Sequence, residues 1–100
     1  MTAPSGFEWD EKKRRTNLSK HGIDFYDIPK IFRYPRLDSE DHSHSESELR
    51  WKSLGYLDEQ VIFFVYTMRG DRRRIITARP ATRDETVLYY QRYLFDLRSK

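Results

Sequence analysis

Residues 48–57 (ELRWKSLGYL), 60–69 (QVIFFVYTMR) and 72–78 (RRRIITA) form three strand-like runs separated by Asp58-Glu59 and Gly70-Asp71. The runs are rich in β-branched and aromatic residues, and the two-residue breaks are tight-turn signals. Together they predict an antiparallel β-meander. Two-residue turns then set the pairing: Leu57 opposite Gln60, Arg50 opposite Thr67, Glu48 opposite Arg69, Arg69 opposite Arg72, Thr67 opposite Arg74 and Val65 opposite Ile76. Because side chains alternate across a sheet, one face is expected to carry the rows Glu48/Arg69/Arg72, Arg50/Thr67/Arg74 and Lys52/Val65/Ile76. The other carries Leu49, Trp51, Ile62, Phe64, Tyr66, Met68, Ile75 and Thr77, an apolar surface suited to packing on helices. A one-residue slip would exchange the two faces, and the apolar pattern argues against it. Arg79 falls on the opposite parity to Arg74, but it lies at the strand end before Pro80, where strict alternation need not hold, so its face is left open.

Working outward, residues 1–6 read as a flexible lead and Phe7-Glu8-Trp9 as a short edge strand. Asp10 is placed to cap a polar helix running through Lys20, with Gly22 as its left-handed C-terminal residue. Asp24 caps a second helix whose stripe is Phe25, Ile28, Ile31 and Phe32, and Pro29 should shorten or kink it. Pro35 ends it, and Asp38 to Glu46 reads as an exposed charged connector. After Pro80, the pattern Thr82-Arg83-Asp84-Glu85 is a capping box opening a helix to about Phe95. The expected organisation is a lead (1–6), one α+β domain (7–96) with N-terminal helices packed on the antiparallel meander and a C-terminal helix after it, and a tail (97–100).

The chain has 100 residues, enough for one core. Lys and Arg number 19 against 16 Asp and Glu, a net charge of +3 that is informative only through its segregation. Basic residues gather at positions 12–20 and 69–83, acidic ones at 38–48. The absence of cysteine excludes a disulfide framework, a thiolate metal site and a thiol nucleophile. The longest apolar run, Val61 to Tyr66, is far short of a membrane span. A cytoplasmic protein with no membrane partner is expected. Asp41, His42, His44 and Glu46 sit on one short segment without a converging second element, so no metal site is read there and no cofactor is expected. Four arginines on one sheet face cost stability by repulsion, and an acidic ligand is the simplest reason to tolerate them. The alternative is a solvated face partly neutralised by Glu48.

The run Phe7-Glu8-Trp9-Asp10, followed by Asn17, Lys20-His21-Gly22-Ile23 and Phe25, resembles the opening signature of BrnT toxins. Later pieces agree: His44-Ser45, Glu48 with Arg50-Trp51 and Gly55, Val65-Tyr66-Thr67 with Arg69, Arg74-Ile75-Ile76-Thr77-Ala78-Arg79, then Ala81, Glu85 and Tyr89. The resemblance covers Phe7 to about Tyr90. It implies a RelE-like fold and a metal-independent ribonuclease, the toxin half of a type II toxin–antitoxin pair. It also implies a BrnA-like ribbon-helix-helix antitoxin as partner, through which the complex reaches operator DNA and represses its own operon. Pro29, where the family has a small residue, and Thr77, where it often has Ser, are departures.

RNA is cut without metal when its 2′-hydroxyl attacks the adjacent phosphorus, which needs a base, cations for the phosphorane charge and a proton for the leaving 5′-oxygen. Arginine's forked donors match phosphate oxygens. Arg50, Arg74 and Arg79 are therefore the leading phosphate clamps, Thr67 completes the central row, and Lys20, Arg69 and Arg72 guide the strand. Glu48, His21 and Glu85 are alternative bases. Tyr89 is a proton donor, a base-stacking residue or core packing. Lys20 and His21 at a helix C-terminus also fit a capping role, and Trp9 and Trp51 fit the core. Two other readings stand beside the ribonuclease: a non-catalytic RNA- or DNA-binding module, and a structural partner in a repressor complex.

Overall fold

Asp58 and Glu59 both take positive φ (48° and 67°) and Gly70 takes a φ of 60°, so both breaks close as two-residue turns whose twist suits the flanking strands. In the computed structural model, which describes residues 5–42 and 48–98, these turns join β3 (Arg50–Leu57), β4 (Gln60–Arg69) and β5 (Arg72–Pro80). The pairs Leu57/Gln60, Arg50/Thr67, Arg69/Arg72 and Thr67/Arg74 form as the turn chemistry requires. β3 starts two residues later than expected, at Arg50.

Two strands flank the meander. β1 (Phe7–Glu8) pairs in parallel with β5, and β2 (Leu37–Asp41) pairs antiparallel with β3. The order is β1-β5-β4-β3-β2, so the sheet is mixed, which corrects the wholly antiparallel expectation. β2 also corrects the reading of residues 38–46 as connector throughout. Its only apolar residue is Leu37, and hydrogen bonds stand in for an apolar pattern. Asp38 accepts from the Ser53 hydroxyl and from Tyr66 Oη (3.1 Å), and pairs with Arg36 at 3.2 Å. Burial pushes the Asp38 carboxyl up, but these contacts outweigh it and hold it below its usual value.

The helices follow their caps. Asp10 Oδ1 accepts from the amides of Lys12 and Lys13 at 2.8 and 3.1 Å, opening α1 (Glu11–His21), and Gly22 at φ 73° closes it. Asp24 caps a single 3-10 turn (Phe25–Asp27) leading into α2 (Ile28–Ile31), as short as Pro29 at its first turn predicts. α3 (Arg83–Arg98) starts at the capping box, with Glu85 N to Thr82 Oγ1 at 3.2 Å and Thr82 N to Glu85 Oε1 at 2.8 Å, and passes the expected Phe95.

One sheet face packs Ile62, Phe64, Tyr66, Ile75 and Ala78 against Phe25, Ile28 and Ile31. Trp9 and Trp51 lie on the margin of that core, whereas Leu49 and Met68, expected on the same apolar face, are exposed. Gly55 permits the close approach of α2: a Cβ there would collide with Ile31 Cγ2. On the other face α3 covers one end, through Tyr89 against Leu54 and Val61. α1 is polar and buries only Asn17, whose side chain accepts from Ala78 N (3.1 Å) and Thr77 Oγ1 (3.2 Å) and donates to Ile23 O (3.0 Å). Those bonds tie α1 to the open edge of β5.

Thr77, not Ile76, stands opposite Val65, because a β-bulge interrupts β5 there. The extra residue restores Arg79 to the face of Arg74: Arg79 lies opposite Phe63, and Arg74 opposite Thr67. Strict alternation had put Arg79 on the other face. Among the described residues no helix is long and apolar enough to cross a membrane.

Candidate nucleic-acid interface

A single lateral row crosses all five strands. Glu8 on β1 is the partner of Arg74 on β5, Arg74 of Thr67 on β4, Thr67 of Arg50 on β3, and Arg50 of Asp41 on β2. Residues paired this way project from the same face, so the row reads acid, arginine, threonine, arginine, acid. Arg74 Nη1 donates to Glu8 Oε2 at 2.8 Å, and both side chains are 28% exposed, shielded enough to strengthen their attraction yet open to a ligand. No ion pair involves Arg50 among the described residues. Thr67 is 2% exposed, and its Oγ1 donates to the Leu49 carbonyl at 2.6 Å. It anchors the stretch leading into Arg50.

One step toward the Gly70 turn, Arg69 lies opposite Arg72 and donates through Nε to Glu48 at 3.1 Å. That pair is well exposed, so it contributes little to stability. Arg72 is exposed and forms no ion pair among the described residues. This corner extends the cationic face beside the row.

Arg79 shares the face but not the row. It sits four strand residues from the Arg74 level, about 13 Å away at the usual rise. There it grips Glu85 with two hydrogen bonds of 2.8 and 3.0 Å and lies over the Phe63 ring at 4.1 Å. The Arg79 guanidinium, with help from the Thr82 amide, holds the Glu85 carboxyl below its usual value. Glu85 is thus a helix cap and the counter-ion of Arg79, away from the row. Tyr89 is 5% exposed and donates to the Pro35 carbonyl at 3.0 Å. Burial pushes its phenol up, away from proton donation. Lys20 and His21 end α1 and face a groove beside Ile76 and Thr77 rather than the row.

The structure therefore brings Arg50, Thr67 and Arg74 together, with Glu48, Arg69 and Arg72 adjoining, and sets Arg79, Tyr89, Lys20 and His21 apart. Sequence reasoning missed Glu8 and Asp41 as members of the row. Alternation in Phe7-Glu8-Trp9 separates the acid from two core-seeking aromatics, which is the only local signal for Glu8. Asp41 carried none, lying in a segment without periodicity. No cluster of three potential metal ligands occurs among the described residues, and His44, Ser45 and Glu46 lie outside them.

A family model described as the ribonuclease toxin BrnT of type II toxin–antitoxin systems matches residues 9–85. That span holds four of the five row residues. No curated protein matches the chain.

Proposed function

Because the chain belongs to the BrnT family of type II toxin–antitoxin ribonuclease toxins, with RNA as substrate and an antitoxin as partner, we propose that it cuts RNA without a metal ion, at the row Glu8/Arg74/Thr67/Arg50. The observation that carries this reading is the placement of two arginines on one face with a carboxylate 2.8 Å from one of them. The 2′-hydroxyl and the scissile phosphate are adjacent groups on RNA, so base and phosphate clamp must be adjacent on the protein. Glu8 and Arg74 meet that demand. Glu48 lies one step off the row, beside Arg69, and Glu85 lies away from it, beside Arg79, so neither adjoins the two arginines of the row.

In this reading Arg74 and Arg50 hold the non-bridging phosphate oxygens and stabilise the phosphorane charge. Glu8 accepts the 2′-hydroxyl proton while the bond from O2′ to phosphorus forms. The bond from phosphorus to O5′ then breaks, and the 5′-oxygen leaves with a proton from water. The products are a 2′,3′-cyclic phosphate and a free 5′-hydroxyl. Arg69 and Arg72 steer the strand. The fold is read as RelE-like, the site of action as the cytoplasm, and the partner as a BrnA-like ribbon-helix-helix antitoxin that carries the complex to operator DNA.

The test is incubation of purified protein with labelled RNA in EDTA. Fragments ending in 2′,3′-cyclic phosphate, lost in Arg50→Ala, are expected. A metal requirement would overturn the mechanism, and intact RNA despite binding would favour a non-catalytic binding module.

A further inference from the structure

The bulge that returns Arg79 to the arginine face has a second effect at the edge of the sheet. It brings Ile76 and Thr77 to the wall of a groove of about 310 Å³, whose other wall is α1, with Lys12, Lys13, Lys20 and His21. Lys12 and Lys20 are eight residues apart on one side of the helix, about 12 Å along its axis, long enough to meet more than one phosphate of an extended strand. The three lysines enter no ion pair among the described residues. The acid of α1, Glu11, is taken by Arg14, which it meets at 2.7 Å. No carboxylate lines the groove.

Two further observations give the groove a direction. α1 is held to β5 by the hydrogen bonds of Asn17 rather than by an apolar stripe, so its lysine-bearing side stays open. Asp10, which caps α1, follows Glu8, the partner of Arg74, by two residues, so the chain passes directly from the end of the arginine row to the start of the groove's helix. A polyanion leaving the row at Arg74 would meet Lys12 and Lys13 next, then Lys20 and His21.

We propose that this groove binds the phosphodiester backbone of single-stranded RNA flanking the cleaved bond, with Lys12, Lys13 and Lys20 as phosphate contacts. The proposal rests on the ribonuclease reading for its substrate but is tested by binding alone. The probe is a fluorescent 2′-O-methyl RNA, which lacks the attacking hydroxyl, titrated with the whole chain at several salt concentrations. Each phosphate contact on a single strand contributes about 0.7 to the slope of log affinity against log salt, so the triple variant Lys12→Ala/Lys13→Ala/Lys20→Ala should flatten that slope by about 2. The triple lysine-to-arginine variant should restore it. On cleavable RNA the alanine variant should raise KM several-fold with little change in kcat. An unchanged salt slope with a matching thermal melt overturns the groove and leaves cleavage at the row intact. Tighter binding of duplex DNA than of RNA overturns the single-strand assignment. Wild-type protein that binds the probe with the predicted slope yet cuts no RNA supports the groove while removing the ribonuclease reading.

Discussion

Glu8 Oε2 accepts a hydrogen bond from Arg74 Nη1 at 2.8 Å, joining residues 66 positions apart through a parallel strand pair only two residues long. Because the first strand is so short, this ion pair is also one of the contacts that hold β1 in register. Its two roles, docking and chemistry, separate by substitution.

Glu8→Gln keeps the hydrogen-bonding shape and removes the base. kcat should fall by about 10²-fold or more, with RNA affinity retained and the acidic limb of the pH–rate profile lost. A variant that keeps wild-type kcat, or loses it only in proportion to unfolded protein, would return Glu8 to a structural role.

Thr67 sits in the row but spends its hydroxyl on the Leu49 carbonyl. Thr67→Val, similar in shape, should lower unfolding free energy by about 1 kcal/mol and leave kcat per folded molecule unchanged. Thr67→Ser keeps the hydroxyl and should likewise leave kcat per folded molecule unchanged. Urea denaturation beside single-turnover cleavage separates the two quantities.

Glu85 predicts a pH dependence. Its carboxyl is held below the usual carboxylate value in the fold, chiefly by Arg79. A depressed acid contributes stability that is fully present above the unfolded value and is lost as pH falls through the folded value. Glu85→Gln should therefore destabilise the protein at pH 7 and show a smaller further loss below pH about 4.5 than wild type. Parallel acid unfolding curves for the two proteins would contradict this.

Tyr89→Phe removes the hydroxyl bonded to Pro35 and leaves the ring among Leu54 and Val61. A loss of about 1 kcal/mol in stability is expected, with an unaltered pH–rate profile. A change in the basic limb of that profile would restore Tyr89 as a proton donor.

The meander, and its register from each turn as far as the Arg50/Thr67/Arg74 level, were legible from residues 48–78, because a two-residue turn dictates which residues oppose one another within a hairpin until a bulge intervenes. The caps at Asp10, Gly22, Asp24 and Thr82 were legible for the same reason, each being chemistry between neighbours in the chain. So was the central row Arg50/Thr67/Arg74. What tertiary structure alone decided is how that row ends. The pairing of Glu8 with Arg74 joins distant segments, and β2 is held by Asp38 bonding to Ser53 and Tyr66 rather than by an apolar pattern. The bulge at Ile76 likewise coincides with contacts from another element, since Asn17 of α1 bonds the strand at Thr77 and Ala78. Local alternation therefore placed the arginines of the hairpins, whereas the face of Arg79 was left to the tertiary structure: a period of two holds only while each residue has one partner, and an extra residue in β5 shifts everything beyond it.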